Sequence, residues 1–195
     1  MKTFKLIVKW IICKIFFRVE FKGKENIDSK KSYVFMANHV TSFDAPFIWS
    51  DNLNLAMMAK EEIFKFKPLG AIFKAVGAFP IARGKKDFSH VLHAVKVVSG
   101  EHPKSLLIFP EGTRRAKEKN IKAKNGAVYI AAAAGVQVVP IHVTEKFRLF
   151  GKVVVEYKKP VDLRINKENI KDKKLLTEET ERIMKIIYEG DYDAK

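Results

Sequence analysis

A chain of 195 residues, 47% of them hydrophobic, can bury one sizeable core; that excludes a disordered segment and is too short for two comfortable domains. Its 37 lysines and arginines against 22 acidic residues give a net charge of +15, so the partner is anionic: nucleic acid, an acidic membrane surface, or a phosphorylated or coenzyme-A substrate. The single cysteine, Cys13, excludes an intramolecular disulfide and suits a reducing, cytoplasmic setting, and the five histidines show no metal-ligand spacing, so no metal is expected.

The chain opens with a dense apolar run from Phe4 to Val19, interrupted by Lys5, Lys9, Lys14 and Arg18. A membrane-spanning helix needs about 20 mostly apolar residues, and a secretory signal needs an uninterrupted apolar centre. Residues 1–18 are therefore predicted to form an amphipathic helix in the membrane interface, lysine stems reaching for headgroups. A helix packed on the body with its charges at the rim is the alternative. Residues 19–195 are the folded domain.

Strands are predicted over Val19–Lys24 and Ser32–Ala37, then a polar connection Asn38–Asp44 leading into a short helix with Phe47, Ile48 and Trp49. A strand near Leu55–Ala59 precedes helical pieces from Glu61 to Val76 broken at Pro68, and Ala78–Ile81 is a short strand. Phe88, Val91, Leu92, Val95 and Val98 recur at helical steps after Asp87. Ser105–Phe109 reads as a buried strand, Gly112–Lys124 as a basic loop, and Ala127–Ala134 as an alanine-rich helix closed by Gly135. Strands at Val136–Val143 and Lys152–Tyr157 and a helix from about Leu175 to Tyr188 complete the chain. Short, continuously apolar strands alternating with helices indicate an α/β fold, a largely parallel central sheet flanked by helices.

Two stretches directly after buried strands carry polar chemistry. In Asn38-His39-Val40-Thr41-Ser42-Phe43-Asp44, an imidazole can take the proton of a hydroxyl nucleophile, and a carboxylate folded back from the helix start can hold that imidazole. Such a pair also arises by chance about once in five chains of this composition. Taken alone, the pair is better read as an exposed loop histidine and a helix-capping aspartate. In Phe109-Pro110-Glu111-Gly112-Thr113-Arg114-Arg115, the glycine permits close approach, Thr113 offers a hydroxyl, and the two guanidiniums suit phosphate. Glu111, at the carboxyl end of a strand, can accept a hydrogen bond from a substrate hydroxyl. Gly77-Ala78-Phe79-Pro80-Ile81-Ala82-Arg83-Gly84 delivers one arginine, and Val138-Val139-Pro140-Ile141 is an apolar strand carrying a proline.

These four blocks, in this order and at these separations, resemble the glycerolipid acyltransferase family from about Val19 to Pro140. Ala59-Lys60-Glu61-Glu62 and Lys124-Asn125-Gly126 are further similar stretches. The resemblance implies His39 as general base with Asp44 as its orienting partner. Arg83 and Glu111, Gly112, Thr113 and Arg114 would hold the glycerol-phosphate part of an acceptor, and Val139-Pro140 would shape the acyl side. It implies transfer of an acyl group from acyl-CoA or acyl carrier protein to the free hydroxyl of a lysophospholipid, 1-acyl-glycerol 3-phosphate. No cofactor is needed, and the setting would be an anionic membrane on the cytoplasmic face of the cell, held peripherally or monotopically. The chain departs from the family pattern at Arg115, where a small polar residue is common, and at Ala123, where an aromatic is common; both bear on the acceptor.

Three other readings compete. An acyltransferase could take glycerol 3-phosphate or a non-phosphate lysolipid. A lipid-binding module without catalysis would have little reason to keep His39, Asp44, Glu111 and Arg83 together. A nucleic-acid binder could use the basic loop, but that loop has no aromatic residues for base stacking, so no nucleic acid is expected.

Overall fold

A computed structural model describes residues 16–51, 54–65, 67–75, 77–81, 88–115, 120–144 and 148–189. In chain order these form β1 (Arg18–Lys22), β2 (Val34–Ala37), α1 (Asp44–Asp51), β3 (Leu55–Lys60), α2 (Glu61–Lys65), α3 (Lys67–Ala75) and β4 (Ala78–Ile81). Then come α4 (Ser89–Ser99), β5 (Ser105–Ile108), α5 (Gly126–Ala134), β6 (Val138–Val143), β7 (Lys152–Tyr157) and α6 (Lys173–Tyr188). The strands make one sheet in the order β1-β7-β6-β2-β5-β3-β4. Every pairing is parallel except β6 with β7. The expected largely parallel sheet between helices is therefore what the chain forms.

Side-chain alternation along β2 explains why its residues are apolar without a break. Phe35 and Ala37 enter the core on one face with Phe47, Ile48, Val139 and Ile141. Val34 and Met36 enter the other with Ala94, Val98, Val128 and Ile183. Helices cover both faces, so both sides of a central strand must be oily. Pro68 lies in the first turn of α3, where its missing N–H leaves no hydrogen bond unmade, and the helix break falls just before it.

The periodic stripe at Phe88–Val98 forms a helix, and most of it faces the core. Val98 is buried with Ala94, and Val91 and Val95 pack against the same cluster, while Phe88 and Leu92 remain 70% and 63% exposed. The alanines of α5 lie buried in the same cluster as Ala94, and small side chains let the two helices approach closely.

The predicted interfacial helix falls largely on residues 1–15, which lie outside the described residues. Its last residues belong to the body. Phe17 is buried against the rings of Phe43 and Phe47, with centroids 5.1 and 5.2 Å away, and Arg18 opens β1 rather than ending a helix. No helix among the described residues is long and apolar enough to cross a membrane.

Helix α6 is fastened at mid-length by a buried carboxylate. Glu179 accepts from the Arg164 N–H at 2.9 Å and from Arg182 Nε and Nη2 at 2.8 and 2.6 Å. Burial alone would raise this carboxyl, but the Arg182 guanidinium and the Arg164 N–H outweigh it and hold it below the usual range. The anchor matters for function because the last residue of α6, Tyr188, reaches the site described next.

Candidate active site

Two neighbouring strands, β2 and β5, deliver the polar stretches side by side at their carboxyl ends. In the ladder Met36 stands beside Ile108, a separation of 72 positions. The same separation carries on into the loops: the His39 N–H donates to Glu111 Oε2 at 3.0 Å, and Arg114 Nη1 donates to the Ser42 hydroxyl at 2.7 Å. Parallel pairing thus places the two loops as if the sheet continued through them. On the other side of β2, buried Asn38 extends the ladder to β6. Its amide donates to Val143 O at 2.8 Å and accepts from the Val143 N–H at 2.7 Å.

His39 is held at every main-chain polar atom and at one ring nitrogen. Its N–H goes to Glu111, and its carbonyl accepts from the Arg115 N–H at 2.7 Å. Arg115 reaches that carbonyl from a left-handed backbone conformation, φ 53°, which costs a non-glycine residue about 1–2 kcal/mol. Gly112 also takes positive φ, 66°, without that cost. The imidazole stacks on Phe109 with centroids 4.1 Å apart and planes 21° apart.

Asp44, wholly buried in the first turn of α1, lies 2.8 Å from His39 Nδ1 through Oδ2. The same oxygen accepts from the N–H groups of Val40 at 2.6 Å and Thr41 at 2.8 Å, while Oδ1 accepts from the Thr41 hydroxyl at 2.9 Å. An oxygen that already takes two backbone donors meets Nδ1 as an acceptor, which assigns the ring proton to Nδ1. Nε2 is left with its lone pair. With 21% of the His39 side chain exposed, that nitrogen is placed to act on a hydroxyl.

Glu111 has a different surrounding from the one its sequence position suggests. Only 3% of it is exposed, and its oxygens face the His39 N–H and the Tyr188 hydroxyl, which donates to Oε1. Its bond to the His39 N–H braces the His39 loop. Tyr188 comes from 77 residues away, and no local signal announces it. Replacing Tyr188 by Phe keeps the ring and removes the donor, and should cost about 1–3 kcal/mol of stability. A urea midpoint equal to that of the parent would show that the hydroxyl does nothing structural.

Next to His39 lies a cleft of about 630 Å³, lined by Phe17, Val40, Thr41, Ser42, Phe43, Arg114, Arg115 and Leu149. Phe17, Phe43 and Leu149 give it an apolar wall, and the exposed guanidiniums of Arg114 and Arg115 give it a cationic edge. Thr113 sits half-buried between Gly112 and Arg114. Val139 and Pro140 are buried in β6, Pro140 beside Met36, and neither lines this cleft. Arg83 lies outside the described residues.

Comparison with known proteins follows the same residues. The Acyltransferase family model matches residues 18–144. The chain is 29% identical over 129 residues to a 1-acyl-sn-glycerol-3-phosphate acyltransferase of Limnanthes alba, covering 65% of this chain and 45% of that protein. It is 26% identical over 157 residues to the protein of the same name from Escherichia coli, covering 75% of this chain and 63% of that one. The chain thus spans roughly half the length of the curated relatives it matches. The crystal structure of the 1-acyl-sn-glycerophosphate acyltransferase PlsC from Thermotoga maritima superposes with a TM-score of 0.67 at 23% identity, covering 95% of this chain and 74% of that one. At this identity the likeness is one of fold.

Proposed function

The chain belongs to the acyltransferase family, and on that footing we propose that it transfers an acyl group from acyl-CoA or acyl carrier protein to the free hydroxyl of 1-acyl-glycerol 3-phosphate. The observation that carries the reading is the buried Asp44 carboxyl holding Nδ1 of His39, beside a cleft with one apolar wall and one cationic edge. An amphipathic acceptor with a phosphate and a chain matches both sides of that cleft. Glycerol 3-phosphate would use the edge alone, and a neutral lysolipid the wall alone.

In the proposed reaction Nε2 of His39 takes the hydroxyl proton as the acceptor oxygen attacks the thioester carbonyl. The tetrahedral intermediate collapses with cleavage of the carbon–sulfur bond. The thiol leaves with the proton that His39 had taken, so the enzyme ends as it began. Asp44 stabilises the imidazolium between those two events. The chemistry calls for no resident cofactor, since the activated acyl group arrives on the donor. Holding both substrates against one base supplies much of the remaining acceleration. The setting we propose is an anionic membrane on the cytoplasmic face, in keeping with the charge of +15.

The test is product analysis with both donors and three acceptors: lysophosphatidate, glycerol 3-phosphate and a lysophosphatidylcholine. Phosphatidic acid from lysophosphatidate is the expected product, and no acylated product with any of the three would refute the reading. Arg114→Ala should raise the Michaelis constant for lysophosphatidate about ten- to a hundredfold, by loss of a charge-assisted contact, and leave that for the donor nearly unchanged. An equal rise in both would assign Arg114 to the fold.

A further inference from the structure

The turn joining β6 to β7 presents two large apolar side chains to solvent. Leu149 and Phe150 are each 58% exposed, and Phe16 and Phe43 nearby are each 43% exposed. These four are not scattered. The Phe150 N–H donates to Phe16 O at 2.7 Å, which ties the turn to the residue before Phe17. Phe17 packs against Phe43 with ring planes tilted by 56°, and Phe17, Phe43 and Leu149 line the cleft beside His39. The apolar patch therefore runs into that cleft through Phe43 and Leu149.

Phe150 also sits in an unfavourable backbone conformation. The Gly151 N–H closes the turn on Arg148 O at 2.8 Å, and Phe150 takes φ 63°. An aromatic residue in the left-handed region is strained, where glycine or asparagine would not be. Core burial does not offset that strain, because most of the side chain is in solvent. Outliers of this kind at a surface point to a use outside the fold.

Charge decides what covers the patch. Arg148 opens the turn, and Arg114 and Arg115 edge the same cleft, all three exposed. An apolar projection ringed by arginines matches a bilayer surface, with acyl chains beneath a layer of anionic headgroups. We infer that the Leu149–Phe150 turn, with Phe16 and Phe43, inserts into an anionic bilayer and sets the cleft mouth against the lipid layer. A lysolipid could then enter the cleft without crossing water. That last consequence rests on the proposed acyl transfer; the insertion itself does not.

Phe150→Asn tests it, because asparagine suits the left-handed position and the variant should melt no lower than the parent. The full chain and this variant are compared by co-flotation with vesicles of phosphatidylcholine and phosphatidylglycerol. Binding should weaken about tenfold or more with loss of the inserted ring, and Phe150→Trp should restore it. The Phe150→Asn variant should keep its turnover on a dispersed short-chain lysophosphatidate and lose it on a long-chain one held in the vesicles. Unchanged vesicle binding by Phe150→Asn would overturn the inference. So would sedimentation showing that Phe150→Asn splits a dimer while binding vesicles as the parent does, since the patch would then meet a second copy. Vesicle binding is read without catalysis, so a parent chain that binds vesicles but acylates nothing would sink the proposed function alone.

Discussion

His39→Ala is expected to lower the turnover of acyl transfer by about a hundred- to ten-thousand-fold, the usual contribution of a positioned general base. The Michaelis constants should move little, because the cationic edge of Arg114 and Arg115 and the apolar wall of Phe17, Phe43 and Leu149 do not include the imidazole. The fold should survive as well. His39 is partly exposed, and the main-chain bonds to Glu111 and Arg115 that fix its loop do not involve the side chain. The ring does stack on Phe109, so a modest loss of melting temperature is expected. Steady-state kinetics with a melting curve on the same preparation decides the matter. Near-parental turnover in the alanine variant would leave His39 without the role of base.

Asp44→Asn should have an effect nearly as large on turnover and a larger one on stability. The carboxylate accepts four hydrogen bonds while wholly buried. An amide keeps one acceptor oxygen and must point its NH2 at one of the former donors. If the oxygen stays with the Val40 and Thr41 N–H groups, Nδ1 of His39 loses its anionic partner. If the amide nitrogen turns toward Nδ1, the imidazole shifts its proton to Nε2 and can no longer accept one there. Either outcome disables the base, and losses of about 10³–10⁴ in turnover are typical of such a wrong tautomer. Weakened bonds to the Val40 and Thr41 amides should cost about 1–3 kcal/mol, or roughly 2–10 °C in melting temperature for a chain of this size. Asp44→Ala should cost more, because all four donors lose their acceptor. A fully stable, fully active Asn variant would mean that the charge on Asp44 is idle.

Much of this site is local in sequence. His39 and Asp44 are five residues apart, and a loop that turns into α1 brings them together without help from distant parts of the chain. The run Phe109–Arg115 likewise forms one turn after one strand. Part of its chemistry is visible in the order of residues, a glycine that permits close approach and arginines suited to phosphate; that Phe109 stacks on the imidazole is seen only in the fold. The apolar strands and the resemblance to glycerolipid acyltransferases point to the same fold, because the sheet is buried on both faces and its strands carry that burial in their composition.

What the residues could not show are relations set by pairing and packing. The pairing of β2 with β5 puts His39 beside Glu111 and Ser42 beside Arg114, each pair 72 positions apart. Glu111 reads as a carboxylate that can accept from a substrate hydroxyl; that it is buried against the His39 N–H and Tyr188 is seen only in the fold. Tyr188 sits at the end of the last helix. The stripe on α4 has ideal helical spacing, but only the fold shows that Val91, Val95 and Val98 meet the core while Phe88 and Leu92 stay in solvent. Phe150 looks like any loop aromatic until its backbone angle and its exposure beside the cleft are known together. Composition and periodicity record which side chains avoid water and which groups can react. Which buried donor meets which acceptor depends on how the strands pair and how the helices pack, and that is decided only when the chain has folded.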